Sequence, residues 1–75
     1  MELTKEMKDS VRAKANEPEN LKFTHAVVTK AEAINDGSFS LEYLMCKSYC
    51  DAQEINGGLA ANGNTDTLIV NLVTL

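Results

Sequence analysis

Between Thr67 and Leu75 the chain carries no charged residue, no proline and no glycine, and Asn71 is its only strongly polar side chain. Thr67, Leu68, Ile69, Val70, Leu72, Val73 and Thr74 are nearly all strand formers, so a β-strand is predicted over 67–75. So few polar positions call for cover on both faces, or for a central place in a sheet. Edge strands are normally protected by a lysine, a proline or a bulge, and this segment has none of them. Left open, it is an aggregation hazard. It must therefore lie inside its own sheet or pair with a strand of another chain.

The rest of that sheet has to come from upstream. Residues 21–50 begin with "LKFTHAVVTKAEAI", which is rich in β-branched and aromatic residues. "INDGSF" follows, and Asp36-Gly37 is a tight-turn signal. In "SFSLEYLM", Phe39, Leu41, Tyr43 and Met45 alternate with Ser38, Ser40 and Glu42, the period of a half-buried strand. A hairpin is predicted, with Asp36-Gly37 at its tip and with glycine at positive φ. A helical face through Leu41, Leu44, Met45, Tyr49, Ala52 and Ile55, capped by Ser40 and ended by Asn56 and Gly57, competes with it. The local alternation favours a strand over 38–46. It leaves "CKSYCDAQEIN" open, as helix or as irregular chain.

Residues 56–66 hold three glycines and three asparagines, which predicts a flexible loop. Residues 2–16 read as a helix: Leu3, Met7, Val11 and Ala15 recur every four residues, Thr4 can cap the start, and Asn16 with Pro18 ends it. The expected fold is α+β in one domain, 1–75, with the N-terminal helix packed on a small antiparallel sheet of about three strands. That sheet is the β-hairpin plus the C-terminal strand. Chain order favours the hairpin for the middle of the sheet, which makes the C-terminal strand an edge.

A chain of 75 residues buries only about 60% of the surface it exposes when unfolded, so its core is small and association is the natural reinforcement. An apolar content of 44% argues against general disorder. The net charge of −4, from seven bases and eleven acids, offers no phosphate-binding surface, so direct nucleic-acid binding is not expected. The charged start "MELTKEMKDS" does not read as a signal peptide, and "LIVNLV" is too short to span a bilayer. The expected location is the cytoplasm, of the producing cell or of a host cell for a viral gene, with no membrane partner.

Each motif that could carry chemistry has a plainer reading. "GLAANGNT", Gly58 to Thr65, has the glycine spacing of a phosphate loop, but Asn64 stands where the lysine belongs and a strand follows where a helix must begin. Cys46 and Cys50 would lie about 13 Å apart on a strand and about 6 Å apart on a helix. With His25 they make at most three zinc ligands, so no metal or cofactor is expected and the cysteines read as ordinary thiols. His25 has no marked nucleophile and no second histidine to work with. The acid pairs Asp51/Glu54 and Glu17/Glu19 lie in solvated segments. Lys5, Lys8, Arg12 and Lys14 interleave with Glu2, Glu6, Asp9 and Glu17, which reads as an ordinary solvated helix face.

Two functional classes survive. One is a non-enzymatic, small acidic interaction module, an adaptor or inhibitor that occupies a protein partner's surface. Viral counter-defence factors are often of this style. Residues 35–56, with four acids and one base, suit it. The other is a structural subunit of a symmetric assembly such as a virion component, which the apolar C-terminal strand suits. Under either, the candidate partner-binding residues are Ile69, Val70, Leu72, Val73, Asp51 and Glu54, and a homodimer or higher homo-oligomer is expected.

Overall fold

The computed structural model describes residues 2–33 and 39–75. Helix α1 runs Lys5–Ala15 and a 3-10 turn runs Pro18–Asn20. Strands β1 (His25–Ala33) and β2 (Phe39–Cys46) come next, then helix α2 (Tyr49–Ala61) and strand β3 (Leu68–Asn71). The sheet is antiparallel in the order β2-β1-β3. The fold is thus the expected α+β, with β1 in the middle and the C-terminal strand at an edge. The Asp36-Gly37 turn expected at the hairpin tip lies outside the described residues.

Helix α1 starts where its cap predicts, the Thr4 hydroxyl accepting from the Met7 N–H at 3.3 Å. Met7 and Val11 then come around to the same side and are buried against Val28 of β1 and Val70 of β3. Leu41, Tyr43, Leu68 and Leu72 pack around this cluster. Full burial of each such aliphatic side chain contributes about 1.5–3 kcal/mol. The opposite sheet face carries a second cluster, Val27, Cys46 and Ala52, ringed by Ile55, Leu59 and Ile69. Two helices therefore cover the sheet, one on each face, where a single helix was expected.

Register explains how β1 serves both faces. Val28 pairs with Tyr43 and Leu68, and Val27 with Leu44 and Ile69, so alternate residues face opposite helices. Val28 and Ala31 are three apart, yet both join the α1 cluster. Regular pleating cannot do this. A bulge between Val28 and Lys30 inserts Thr29, whose hydroxyl donates to the Glu42 carbonyl at 3.1 Å. Lys30 is thereby paired with Glu42 and turned away from the core, where it meets Glu32 at 3.1 Å.

Three sequence expectations are corrected. Of the loop expected over 56–66 only residues 62–66 connect elements, because α2 runs through Asn56, Gly57 and Gly58 to Ala61. It continues because Ala52, Ile55, Asn56 and Leu59 make a stripe at i, i+3, i+4 and i+7. Ala52 is buried, Ile55 and Leu59 pack on the second cluster, and Asn56 accepts a hydrogen bond from the Thr67 hydroxyl. The cap is Ser48, whose hydroxyl accepts from the Asp51 N–H at 3.1 Å. The stop is Gly63, at φ 90°. Its N–H donates to the Ala60 carbonyl at 3.0 Å and that of Asn64 to Leu59 at 2.8 Å, the paired bonds of a Schellman ending.

The hairpin is correspondingly shorter than 21–50, since α2 begins at Tyr49. The last strand covers 68–71 instead of 67–75. Asn71 ends it by accepting the Val73 N–H on its own side-chain oxygen at 2.9 Å, a local bond that competes with the ladder. Among the described residues no helix is long and apolar enough to cross a membrane.

Candidate functional site

The open edge of β3 is the feature around which a site is built. Leu72 N–H donates inward to the Thr24 carbonyl at 2.8 Å. Strand alternation then turns the backbone groups of Val70 and Leu68 toward β1, and those of Ile69 and Asn71 away from it. Outward-facing amides and carbonyls of this kind are a template for another strand.

Helix α1 lies on one face of the sheet, closest to β2, and a groove of about 430 Å³ separates it from β3. Ile69, Val70 and Asn71 line it from the strand, and Leu3, Lys8 and Arg12 from the helix side. The helix orientation accounts for the charges. Met7 and Val11 point down into the core, and Lys14 lies on the flank toward β2, close enough to act electrostatically on Tyr43. Lys8 and Arg12 fall on the other flank, toward β3. Burial is the main cause that raises the Tyr43 pKa above its usual value, with Lys14 opposing it and Glu17 adding to it. Arg12 pairs with Asp9 at 3.2 Å on the exposed surface, and Lys8 has no ion-pair partner among the described residues. Among the described residues no acidic side chain lines the groove.

The six candidate partner-binding residues separate into two places. Ile69 and Val70 line the β3 groove, although the Val70 side chain is core, 2% exposed, and Ile69 is half-buried beneath α2. Leu72 is half-buried in the α1 cluster, and Val73 is 75% exposed just beyond the strand. Asp51 and Glu54 are exposed on α2 and line a shallower depression of about 350 Å³ with Phe23, Met45, Lys47 and Ile55. Lys8 and Arg12 are the groove residues that charge counting overlooks. Their signal is the spacing of Lys5, Lys8 and Arg12 at i, i+3 and i+7, which gathers three bases on one helix flank.

Thr24 and His25 belong to a hydrogen-bond network at the start of β1. Thr24 Oγ1 donates to the Lys47 carbonyl at 3.0 Å and also lies 2.8 Å from His25 Nδ1. A hydroxyl has one proton to give, so His25 Nδ1–H must be the donor in the second bond. The imidazole is thereby held in one orientation, beside the Tyr49 ring at 5.6 Å. This network ties the start of β1 to the β2–α2 junction. Among the described residues no three His, Cys, Asp or Glu side chains converge as metal ligands.

Cys46 and Cys50 are both free, the first buried at the end of β2 and the second exposed in the first turn of α2. Burial, helped by Asp51, raises the Cys46 thiol above its usual pKa and withholds the reactive thiolate. In the native protein iodoacetamide should label Cys50 readily. Cys46 should react roughly two orders of magnitude more slowly, because it must wait for the structure to open. Peptide mass spectrometry over a labelling time course checks this, and urea should abolish the difference.

Comparison of the chain with protein-family models, with curated proteins and with solved structures finds no match.

Proposed function

We propose that this chain is a non-enzymatic protein-interaction module that acts by adding another chain's strand to the open edge of β3. The observation that carries the reading is the outward-facing backbone of Ile69 and Asn71 at the floor of the α1–β3 groove. Strand addition needs main-chain partners for affinity and side-chain pockets for choice, and the groove supplies both. When no other partner is present, the occupant at hand is a second copy. Two β3 edges running antiparallel would join two sheets into one of six strands, an isologous homodimer.

Asn71 gives a clean test because its side chain is exposed. Asn71→Ala removes the local bond to Val73 and keeps the outward N–H. Asn71→Pro removes both and leaves the inward ladder untouched. Light scattering should give a dimer mass for the wild type and for Asn71→Ala at high concentration, and a monomer for Asn71→Pro with a melting temperature close to that of Asn71→Ala. A wild type that stays monomeric, or an Asn71→Pro variant that stays dimeric, removes β3 pairing between copies.

One observation favours the second reading, a subunit of a larger assembly. The outer side of β2 is also an edge of the sheet. Pairing of β2 with β3 of the next copy is head-to-tail and need not close. In that case the measured mass would climb with concentration instead of levelling at a dimer.

A further inference from the structure

We infer that the preferred occupant of the β3 groove is an extended, acidic segment of a different protein, bound as an added strand with its carboxylates against Lys8 and Arg12. This rests on the strand-addition reading and adds the chemistry of the partner.

The argument is one of charge in a confined place. The chain as a whole is acidic, at −4, yet among the described residues no acidic side chain lines the groove and its helix wall presents two cations. Lys8 is without an ion-pair partner among the described residues. Arg12 spends one of its five donors on Asp9, in an exposed pair that contributes little. Lys5 extends the same flank by one more turn. A strand docked on Ile69 and Asn71 would have alternate side chains on the α1 face of the sheet, the face from which Lys8 and Arg12 reach the groove. Carboxylates at those positions gain two counter-charges in a partly enclosed site. Basic side chains there would meet like charge.

A second copy satisfies the backbone but not the charges. Its own β3 and the residues that follow it, 68–75, have no acidic side chain to offer. Self-pairing therefore leaves Lys8 and Arg12 without the carboxylates that an acidic strand brings, and the acidic strand displaces it. The net negative charge of the chain acts against non-specific adhesion of acidic chains, so selection falls to the groove.

The test uses three labelled peptides of equal length: alternating Glu-Val, alternating Lys-Val, and a Glu-Val peptide interrupted by proline. Binding is read by fluorescence anisotropy at low and at high salt. The full chain should bind Glu-Val, weaken as salt rises, and ignore both controls. Lys8→Glu combined with Arg12→Glu should weaken Glu-Val binding by roughly tenfold or more, with the fold checked by thermal melts. Asn71→Pro should weaken it as well. Equal binding of Lys-Val, or full Glu-Val affinity in the Lys8/Arg12 double variant, overturns the acidic assignment. So does a wild type that dimerises through β3 and binds none of the peptides, although strand addition would then stand with the second copy as its occupant. A monomeric wild type that binds Glu-Val supports the acidic partner and removes the homodimer. Glu-Val binding that survives both Asn71→Pro and a proline in the peptide overturns strand addition itself.

Discussion

Met7→Ala is expected to lower the free energy of unfolding by about 2–5 kcal/mol, the range for truncating a fully buried methionine. Met7 is 2% exposed and is shared by the three elements that meet in the α1 cluster: the helix itself, β1 through Val28 and β3 through Val70. The surrounding side chains belong to a sheet held by its ladder and cannot all move in to fill the space. A domain of 75 residues has only about 4–11 kcal/mol of stability in total, so the variant should be close to unfolded at 37 °C. Val73→Ala is the companion measurement. Val73 is 75% exposed, and its loss should change stability by no more than about 0.5 kcal/mol. Urea melts of the two variants decide the matter: similar midpoints would mean that α1 does not contribute to the core.

The second large effect has opposite signs at neighbouring glycines. Gly57 and Gly58 lie in the interior of α2 and are exposed, and an added Cβ at either meets nothing within 4 Å. Each is expected to gain about 0.5–1 kcal/mol when changed to alanine, so Gly57→Ala with Gly58→Ala should stabilise by about 1–2 kcal/mol. Gly63 also has open space around it, but its φ of 90° is a conformation alanine resists. Gly63→Ala should destabilise by about 1–2 kcal/mol. Space is equal at all three, so only the backbone can produce the difference. If all three substitutions shift the urea midpoint in one direction, the helix does not end at Gly63.

Those glycines also show why part of the fold is hard to read from the residues. Helix α1 is legible because a four-residue apolar repeat, a threonine cap and a proline beyond its end all agree. The hairpin strands are legible because Phe39 to Met45 alternate and β1 is rich in β-branched residues. Helix α2 hides in composition that looks like a loop. Its apolar stripe is thin, one of its members is Asn56, and two interior glycines imitate the stop signal that Gly63 supplies. The last strand reads as nine residues because side-chain chemistry alone marks it. Its early end is a hydrogen bond from Val73 to the Asn71 side chain, which hydrophobicity does not register.

The candidate site follows the same division. That the C-terminal strand would be an edge follows from chain order, and that such an edge would call for a partner follows from the absence of protective residues in 67–75. That the edge would be flanked by cations does not, because the four bases and four acids of residues 2–17 sum to zero and conceal how they are sorted around the helix. Asp51 and Glu54 stand out in a count of charges and prove to lie on α2, in a different depression from the one β3 lines.

The position of β3 also governs the order in which the molecule can assemble. The β1–β2 ladder joins segments close together in sequence, whereas β3 returns to β1 across the whole of β2 and α2. Val70 and Leu68 complete the cluster under α1, and Ile69 completes the one under α2. Neither helix has its full seat without this four-residue strand, so both halves of the core depend on one non-local pairing. Without residues 68–71 the β1–β2 pair would have two unfinished faces. The same non-local contact that makes folding cooperative leaves those faces open to chaperones, and to each other, for as long as synthesis of the last strand takes.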